Sequence, residues 1–317
     1  MDIKNKTVLI LGGWGLVGSA IARQLMPEQP KKIVLTSLKK EEAEDICNSL
    51  SKEYKKPKGF FVPWYGNVFV RNEFKDKNRE LILKSASERK KLMHDISDEL
   101  NDDILKNAAL YKLLKQHKPD IVIDCINTAT AIAYQNIFKS FTDIQRYIDG
   151  PERDYDNLKE SVEKFMCVSY IPQLIRHIQI LYYGMTEFKT KYYLKIGTSG
   201  TGGMGLNIPY THSEEKPSRM LLSKSSVAGA HTLLLFLMAR TPNGPAVKEL
   251  KPTASIAWKK IAYGEIRKGG KPIALINTKM EDAEPLGKKF NRVSDKKYKT
   301  AGNLKTVYID TGENGIF

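Results

Sequence analysis

The sequence predicts an α/β protein built on a doubly wound parallel sheet, with a small C-terminal substrate region. Three observations carry that reading. Short apolar runs alternate with longer stretches of helical spacing, several of the short runs are unbroken Val/Ile/Leu segments, and the first of them passes directly into a burst of glycine and then a helical pattern. Strands covered on both faces need such unbroken runs, and a strand–helix–strand rhythm implies parallel pairing with helices on both sides.

Taken in order, Thr7 to Leu11 (TVLIL) is the first strand, and the pattern from Gly18 to Met26, starting near Leu16, is the first helix. Lys32 to Leu35 is the second strand, Glu41 to Tyr54 the second helix and Gly59 to Pro63 the third strand. The segment of about 71–118 is longer than a connection requires and rich in Lys, Glu, Asp and Asn, so it is expected to be a mostly helical, solvated insertion ending in a crossover helix. Ile121 to Cys125 is the fourth strand, Val162 to Gly184 one long helix, Tyr192 to Ile196 the fifth strand, Leu221 to Ala239 a helix and Ala246 to Leu250 the sixth strand. Residues 1–250 then form a nucleotide-binding domain. Residues 251–317 form a substrate-binding region that, from the apolar final pair Ile316-Phe317, is expected to continue past Phe317.

With 317 residues and 41% hydrophobic content the chain can bury a sizeable core. No apolar run approaches the roughly 18 residues that a bilayer span needs, and Met1 to Lys6 leads into a strand, so a cytoplasmic protein without a membrane partner is expected. Cys47, Cys125 and Cys167 are odd in number and far apart, which predicts free buried thiols and neither disulfides nor a metal site. The net charge of +15 comes from 51 Lys+Arg against 36 Asp+Glu, with acids interleaved in KKEEAED and SERKK. That distribution argues against a nucleic-acid surface and for anionic small molecules or partners.

The glycines sit where a phosphate-binding turn requires them, between a strand and a helix, spelled either Gly13-x-Gly15-x-x-Gly18 or Gly12-x-x-Gly15-x-x-Gly18. Gly12 would allow the sharp turn, Gly15 the approach of backbone N–H groups to a pyrophosphate and Gly18 close packing of helix on strand, with Leu16 and Val17 at the helix N-terminus. At the end of the second strand, where a carboxylate would hold an NAD ribose, stand Thr36 and Ser37, with Lys39 and Lys40 after them. Hydroxyls and ammonium groups suit a phosphate monoester, which favours NADP, with NAD as the alternative.

Gly12-x-x-Gly15-x-x-Gly18, Asn67-Val68, HKPDIVIDCINTAT, YYLKIGTSG, PSRMLLSKSSVAGAH and AVKELKPTASIAW, in this order from about residue 5 to about 275, resemble the extended short-chain dehydrogenase/reductase superfamily. The resemblance implies a Rossmann fold, an NAD(P) cofactor and a sugar-like or anionic carbonyl or hydroxyl substrate. It implies that Asn67 and Val68 meet the adenine, that Asn127, Thr128 and Ala129 pass the cofactor after the fourth strand, and that Thr198 or Ser199 supplies the catalytic hydroxyl. It also makes Lys224 the catalytic lysine and the holder of the nicotinamide ribose, Lys251-Pro252 the counterpart of an Arg-Pro pair, and two helices, about 131–147 and 162–184, a homodimer interface.

The chain departs from that pattern at one place. In Tyr-x-x-x-Lys the tyrosine exchanges a proton with the substrate oxygen, and here Met220 stands four residues before Lys224. A thioether cannot do this. Three readings follow: an oxidoreductase that uses another acid, Tyr210 or His212 being nearest in sequence; a noncatalytic dinucleotide-binding regulator or scaffold; or different chemistry on a bound substrate. The glycine-rich run GTSGTGGMG, residues 197–205, follows the fifth strand at the edge where such sheets place ligands, and can close on a substrate or serve only as a connection.

Overall fold

The structure is a computed structural model, and it describes residues 2–150, 154–197, 219–251, 254–257, 260–277 and 299–310. The strands of the main sheet are β1 (Thr7–Leu11), β2 (Lys32–Ser37), β3 (Phe61–Tyr65), β4 (Ile121–Asp124), β5 (Tyr192–Ile196), β6 (Ala246–Lys251) and β7 (Ala254–Ala257). The helices are α1 (Leu16–Gln24), α2 (Lys40–Glu53), α3 (Arg79–Lys84), α4 (Ala86–Ser97), α5 (Asp102–Asn107), α6 (Ala109–His117), α7 (Thr128–Ala133), α8 (Ile137–Asp149), α9 (Tyr155–Val168), α10 (Tyr170–Glu187) and α11 (Arg219–Arg240).

An unbroken apolar strand has two faces to bury, and all five residues of β1 are buried. Val8 and Ile10 pack with Ile33, Leu35, Ile121 and Ile123 beneath Ala22 of α1 and Ile46, Cys47 and Leu50 of α2. Leu9 and Leu11 point the other way, with Val122, Tyr193 and Val247, beneath Leu113 of α6, Leu181 of α10 and Leu235 of α11. The strand order is β3-β2-β1-β4-β5-β6-β7. β1 to β6 pair in parallel and β7 is antiparallel to β6, so the fold is a doubly wound, Rossmann-like sheet whose order reverses between β1 and β4.

The sheet thus runs past residue 250 into β7. Beyond it, β8 (Lys260–Glu265) pairs antiparallel with β13 (Lys305–Asp310), and β11 (Ala274–Asn277) with β12 (Lys299–Asn303). β9 (Arg267–Lys268) and β10 (Lys271–Pro272) form a hairpin whose two linking residues, Gly269 and Gly270, both have positive φ (57° and 78°), as a two-residue hairpin loop of this kind demands.

Three expectations are corrected. The helix expected over Val162–Gly184 is two helices, α9 and α10, broken at Ser169. Pro172 has no N–H to give to the carbonyl of Val168 and its ring would strike that carbonyl, so the chain restarts with Pro172 in the first turn of α10. The insertion of about 71–118 is not simply solvated: Val70, Phe74, Ile82, Leu92 and Ile96 form a core with Cys167 of α9, and the buried Arg89 pairs with Glu163 at 2.8 Å. Finally, Leu222–Arg240 in α11 is, among the described residues, one helix long and apolar enough to cross a membrane, with a mean hydropathy of 1.3. Its buried face carries Lys224 and His231 and packs on α7, α10 and β6, as a sheet-covering helix does.

Candidate functional site

Register puts the loops of the site at one level. Leu11 at the end of β1 pairs with Asp124 at the end of β4, and the Cys125 N–H donates to the Leu11 carbonyl at 2.9 Å, so the glycine turn and the β4 exit leave the sheet side by side at the reversal. Gly12 holds φ +75°, in the left-handed region that favours glycine, and a Cβ on it would touch the Cys125 carbonyl carbon at 3.4 Å. A Cβ on Gly18 would lie 2.3 Å from the Gly12 carbonyl oxygen, a backbone atom that cannot move aside, and one on Gly13 would lie 2.7 Å from Leu35 Cδ2.

Gly15 differs from its neighbours. Its φ of −62° is open to any residue, and a Cβ would make only an ordinary 3.4 Å contact with the Gly12 oxygen. It is the N-cap of α1, where no side chain caps the helix, and the first α1 N–H bonded back to it is that of Ser19, at 2.9 Å. The first-turn N–H groups of Leu16 and Val17 therefore face outward from a bare helix end, beside exposed apolar side chains. A pyrophosphate fits this cradle: space that a Cβ would fill, an uncapped positive end, and backbone donors in the crevice.

The 2′ end of the expected cofactor is built differently from the sequence expectation. Thr36 is buried and its Oγ1 accepts the Gly12 N–H at 3.0 Å, so it braces the turn and is withdrawn from any ligand surface. Ser37 Oγ donates to Glu42 Oε2 at 2.5 Å, and Lys39 Nζ lies 3.8 Å from Glu42 Oε1. A carboxylate from the first turn of α2 thus stands among the groups expected to hold a phosphate, and sequence reasoning passed over it inside KKEEAED.

Val68 is buried in the main core, so its side chain is withdrawn from the surface, and Asn67 Oδ1 accepts the Phe69 N–H at 2.9 Å. Past β4, Asn127 Oδ1 caps α7 through the Thr130 N–H at 3.1 Å, while the side chains of Thr128 and Ala129 are buried. Both residues are buried as wholes, so neither presents a surface to a ligand. The expected catalytic residues Thr198, Ser199, Tyr210 and His212 lie outside the described residues, as do Pro252 and the side chain of Lys251.

Lys224 is described and is no surface lysine. It is 5% exposed, and its Nζ donates to Tyr134 Oη at 2.7 Å while lying 4.2 Å from the centre of that ring. Tyr134 ends α7 and is 57% exposed. Five residues earlier on α11, the Arg219 guanidinium lies 5.4 Å from the Phe138 ring centre. Nothing in the sequence spacing links Tyr134 to a lysine 90 residues away; only the packing of α7 on α11 does.

Beneath this wall runs a row of buried charge. Asp124, Lys195 and Glu249 are in register on β4, β5 and β6, and Lys195 Nζ meets Asp124 Oδ2 at 3.0 Å and the Ile126 carbonyl at 2.6 Å. Tyr193 Oη donates to Asp124 Oδ2 at 2.8 Å. Burial pushes the Asp124 carboxyl up, but the Lys195 ammonium, the neighbouring histidines and the Ile126 N–H more than offset it and hold it below the usual carboxylate range. A small cavity of about 20 Å³, room for a water, lies above the row between Asn127, Thr128, Lys195, His231 and Glu249. The lysine inside the apolar run YYLKI was the sequence signal for this network, since a lysine on a buried strand needs a partner.

No family model and no curated protein matches the chain. Solved structures with detectable likeness include the Bordetella bronchiseptica enzyme WbmG in complex with NAD and UDP (12% identity, TM-score 0.36, covering 80% of this chain and 54% of that one). Yeast methylglyoxal/isovaleraldehyde reductase complexed with NADPH (10%, 0.37, 80% and 54%) is another. A third is the UDP-Glc/GlcNAc 4-epimerase of Campylobacter jejuni (13%, 0.38, 78% and 53%). The chain spans about half the length of these structures. The fold class rests on the strand order itself.

Proposed function

We propose that the chain binds a nicotinamide dinucleotide across the β1/β4 reversal and is an atypical oxidoreductase acting on a small anionic or sugar-like carbonyl or hydroxyl substrate. The observation that carries this reading is the turn from Gly12 to Gly18: a bare helix end with no room for a Cβ on Gly18 and free space above Gly15. When bound, the dinucleotide would supply or accept a hydride. Leu16 and Val17 would hold its pyrophosphate through backbone N–H groups in the space left by Gly15, whose own N–H is taken by the Gly12 carbonyl at 3.2 Å, with Asn67 meeting its adenine and Lys224 its nicotinamide ribose. The net charge of +15 favours an anionic substrate.

NADP remains the preferred cofactor in this reading, because Ser37, Lys39 and Lys40 cluster at the end of β2, with Glu42 restraining the preference. Glu42→Gln is expected to tighten NADPH and leave NADH nearly unchanged, and Lys39→Glu to weaken NADPH selectively. Parallel calorimetric titrations check both, and a Glu42→Gln protein that tightens NADH instead would reverse the assignment. A second reading, a noncatalytic dinucleotide-binding regulator, is favoured by Met220, which puts a thioether where the family pattern has its phenol.

A further inference from the structure

We propose that Tyr134, brought to Lys224 by the packing of α7 on α11, is the proton donor and acceptor of this site. The proposal rests on the dinucleotide reading above and adds to it a residue that neither the family pattern nor the sequence spacing indicates.

The contact is specific in its hydrogen bonding. An ammonium group only donates, so the Lys224 Nζ–Oη bond of 2.7 Å uses one lone pair of the phenol oxygen and leaves the O–H free to point elsewhere. Lys224 is held at 5% exposure while Tyr134 is 57% exposed, so a buried cation positions a phenol that is open to solvent. The neighbouring phenols are committed: Tyr170 Oη donates to the Ala133 carbonyl at 2.8 Å, and Tyr193 is fully buried against Asp124. Met220 and Lys224 are four residues apart on α11 and share a face, so the phenol reaches the lysine from α7 rather than from the helix itself.

The placement fits a dinucleotide. With its adenosine half over β2 and its pyrophosphate at Gly15, the nicotinamide half extends past the reversal over β4 and β5, the side on which Tyr134 and Lys224 stand. Tyr134 lies six residues along from Thr128, about 9 Å at 1.5 Å per residue, beyond the loop that packs on Gly12. In the reducing direction the carbonyl carbon of the substrate gains a hydride as its oxygen takes the Tyr134 proton. The substrate C=O π bond and the Tyr134 O–H bond break, a C–H and an O–H form on the substrate, and the two electrons of its reduction would come with the hydride from a C–H bond of the bound dinucleotide. The phenolate, beside Lys224, regains its proton from solvent. Lys224 is a positioning residue in this step.

The test is nitration of exposed tyrosines by tetranitromethane, mapped by mass spectrometry, with and without NADPH at ten times its calorimetric Kd. Tyr155 (76% exposed) and Tyr263 (69%) serve as internal controls. The expected result is about tenfold protection of Tyr134 and none of the controls. Tyr134→Phe should bind NADPH as the wild type does while reducing 4-nitrobenzaldehyde at least about 100-fold more slowly. Unprotected Tyr134 in a protein that binds NADPH, or a Tyr134→Phe protein that reduces the aldehyde at the wild-type rate, overturns the proposal and leaves the dinucleotide reading standing. Failure of the wild type to bind NADPH or NADH removes both.

Discussion

Single residues divide into those whose role was readable from spacing and those that only packing assigns. Gly12 and Gly18 have the conformations and clearances that a strand–turn–helix motif imposes, and a reader of the sequence can name them. Thr36 could not be assigned the same way: a hydroxyl at a strand end is equally suited to a ligand or to a neighbouring N–H, and here the Gly12 N–H takes it. His177 was legible only as a member of an apolar helix. It is 4% exposed, with both ring nitrogens lacking a hydrogen-bond partner among the described residues, and burial pushes it down to about 4. A histidine that prefers the neutral form in the fold binds its proton more readily when unfolded, so its contribution is complete above the unfolded value of roughly 6.5 and is lost as pH falls toward 4. Between pH 7.5 and pH 5.0 the wild type should lose about 2 kcal/mol more stability than His177→Leu, measured by urea unfolding at the two pH values. Equal losses would mean that His177 is already charged or solvated.

Elements were legible where one physical signal dominates. The six parallel strands fall within about two residues of their expected ends, most securely β1, β2 and β4, whose near-continuous apolar runs suit a site covered on both faces. The helices were read less well because periodicity does not register a break: α9 and α10 share a compatible apolar spacing across Ser169, and it is the Pro172 ring that separates them. The charged row across β4, β5 and β6 belongs to this scale too, since it exists only once three strands are in register. Lys195→Met should cost about 3–5 kcal/mol in denaturant unfolding, because it strands the Asp124 carboxylate in the interior. The double variant Lys195→Met/Asp124→Asn should recover part of that loss. A single variant as stable as the wild type would show that Asp124 reaches water.

Across the whole molecule, the strand order places every described candidate along one edge of the sheet, on both sides of the β1/β4 reversal. Helix α8 has no buried residue and exposes Phe141 and Ile148, and α10 exposes Ile171, Ile175 and Tyr183 on one stripe. We propose that these apolar faces meet in a homodimer, the arrangement expected for the helices about 131–147 and 162–184. Sedimentation velocity should then find a dimer that Ile175→Glu converts to a monomer, and a wild-type monomer at high concentration would refute it.

Whether the glycine turn holds a dinucleotide pyrophosphate is testable at Gly15 without loss of the fold. Aspartate fits the Gly15 backbone, is a good N-cap for α1, and sets a negative charge where the phosphates would sit. Calorimetric titration of the wild type and Gly15→Asp with NADPH and with NADH, alongside their melting curves, is the direct measurement. Micromolar binding by the wild type is expected, together with its loss in a Gly15→Asp protein that melts no lower. Binding that survives Gly15→Asp, or a wild type that binds neither dinucleotide, would contradict it.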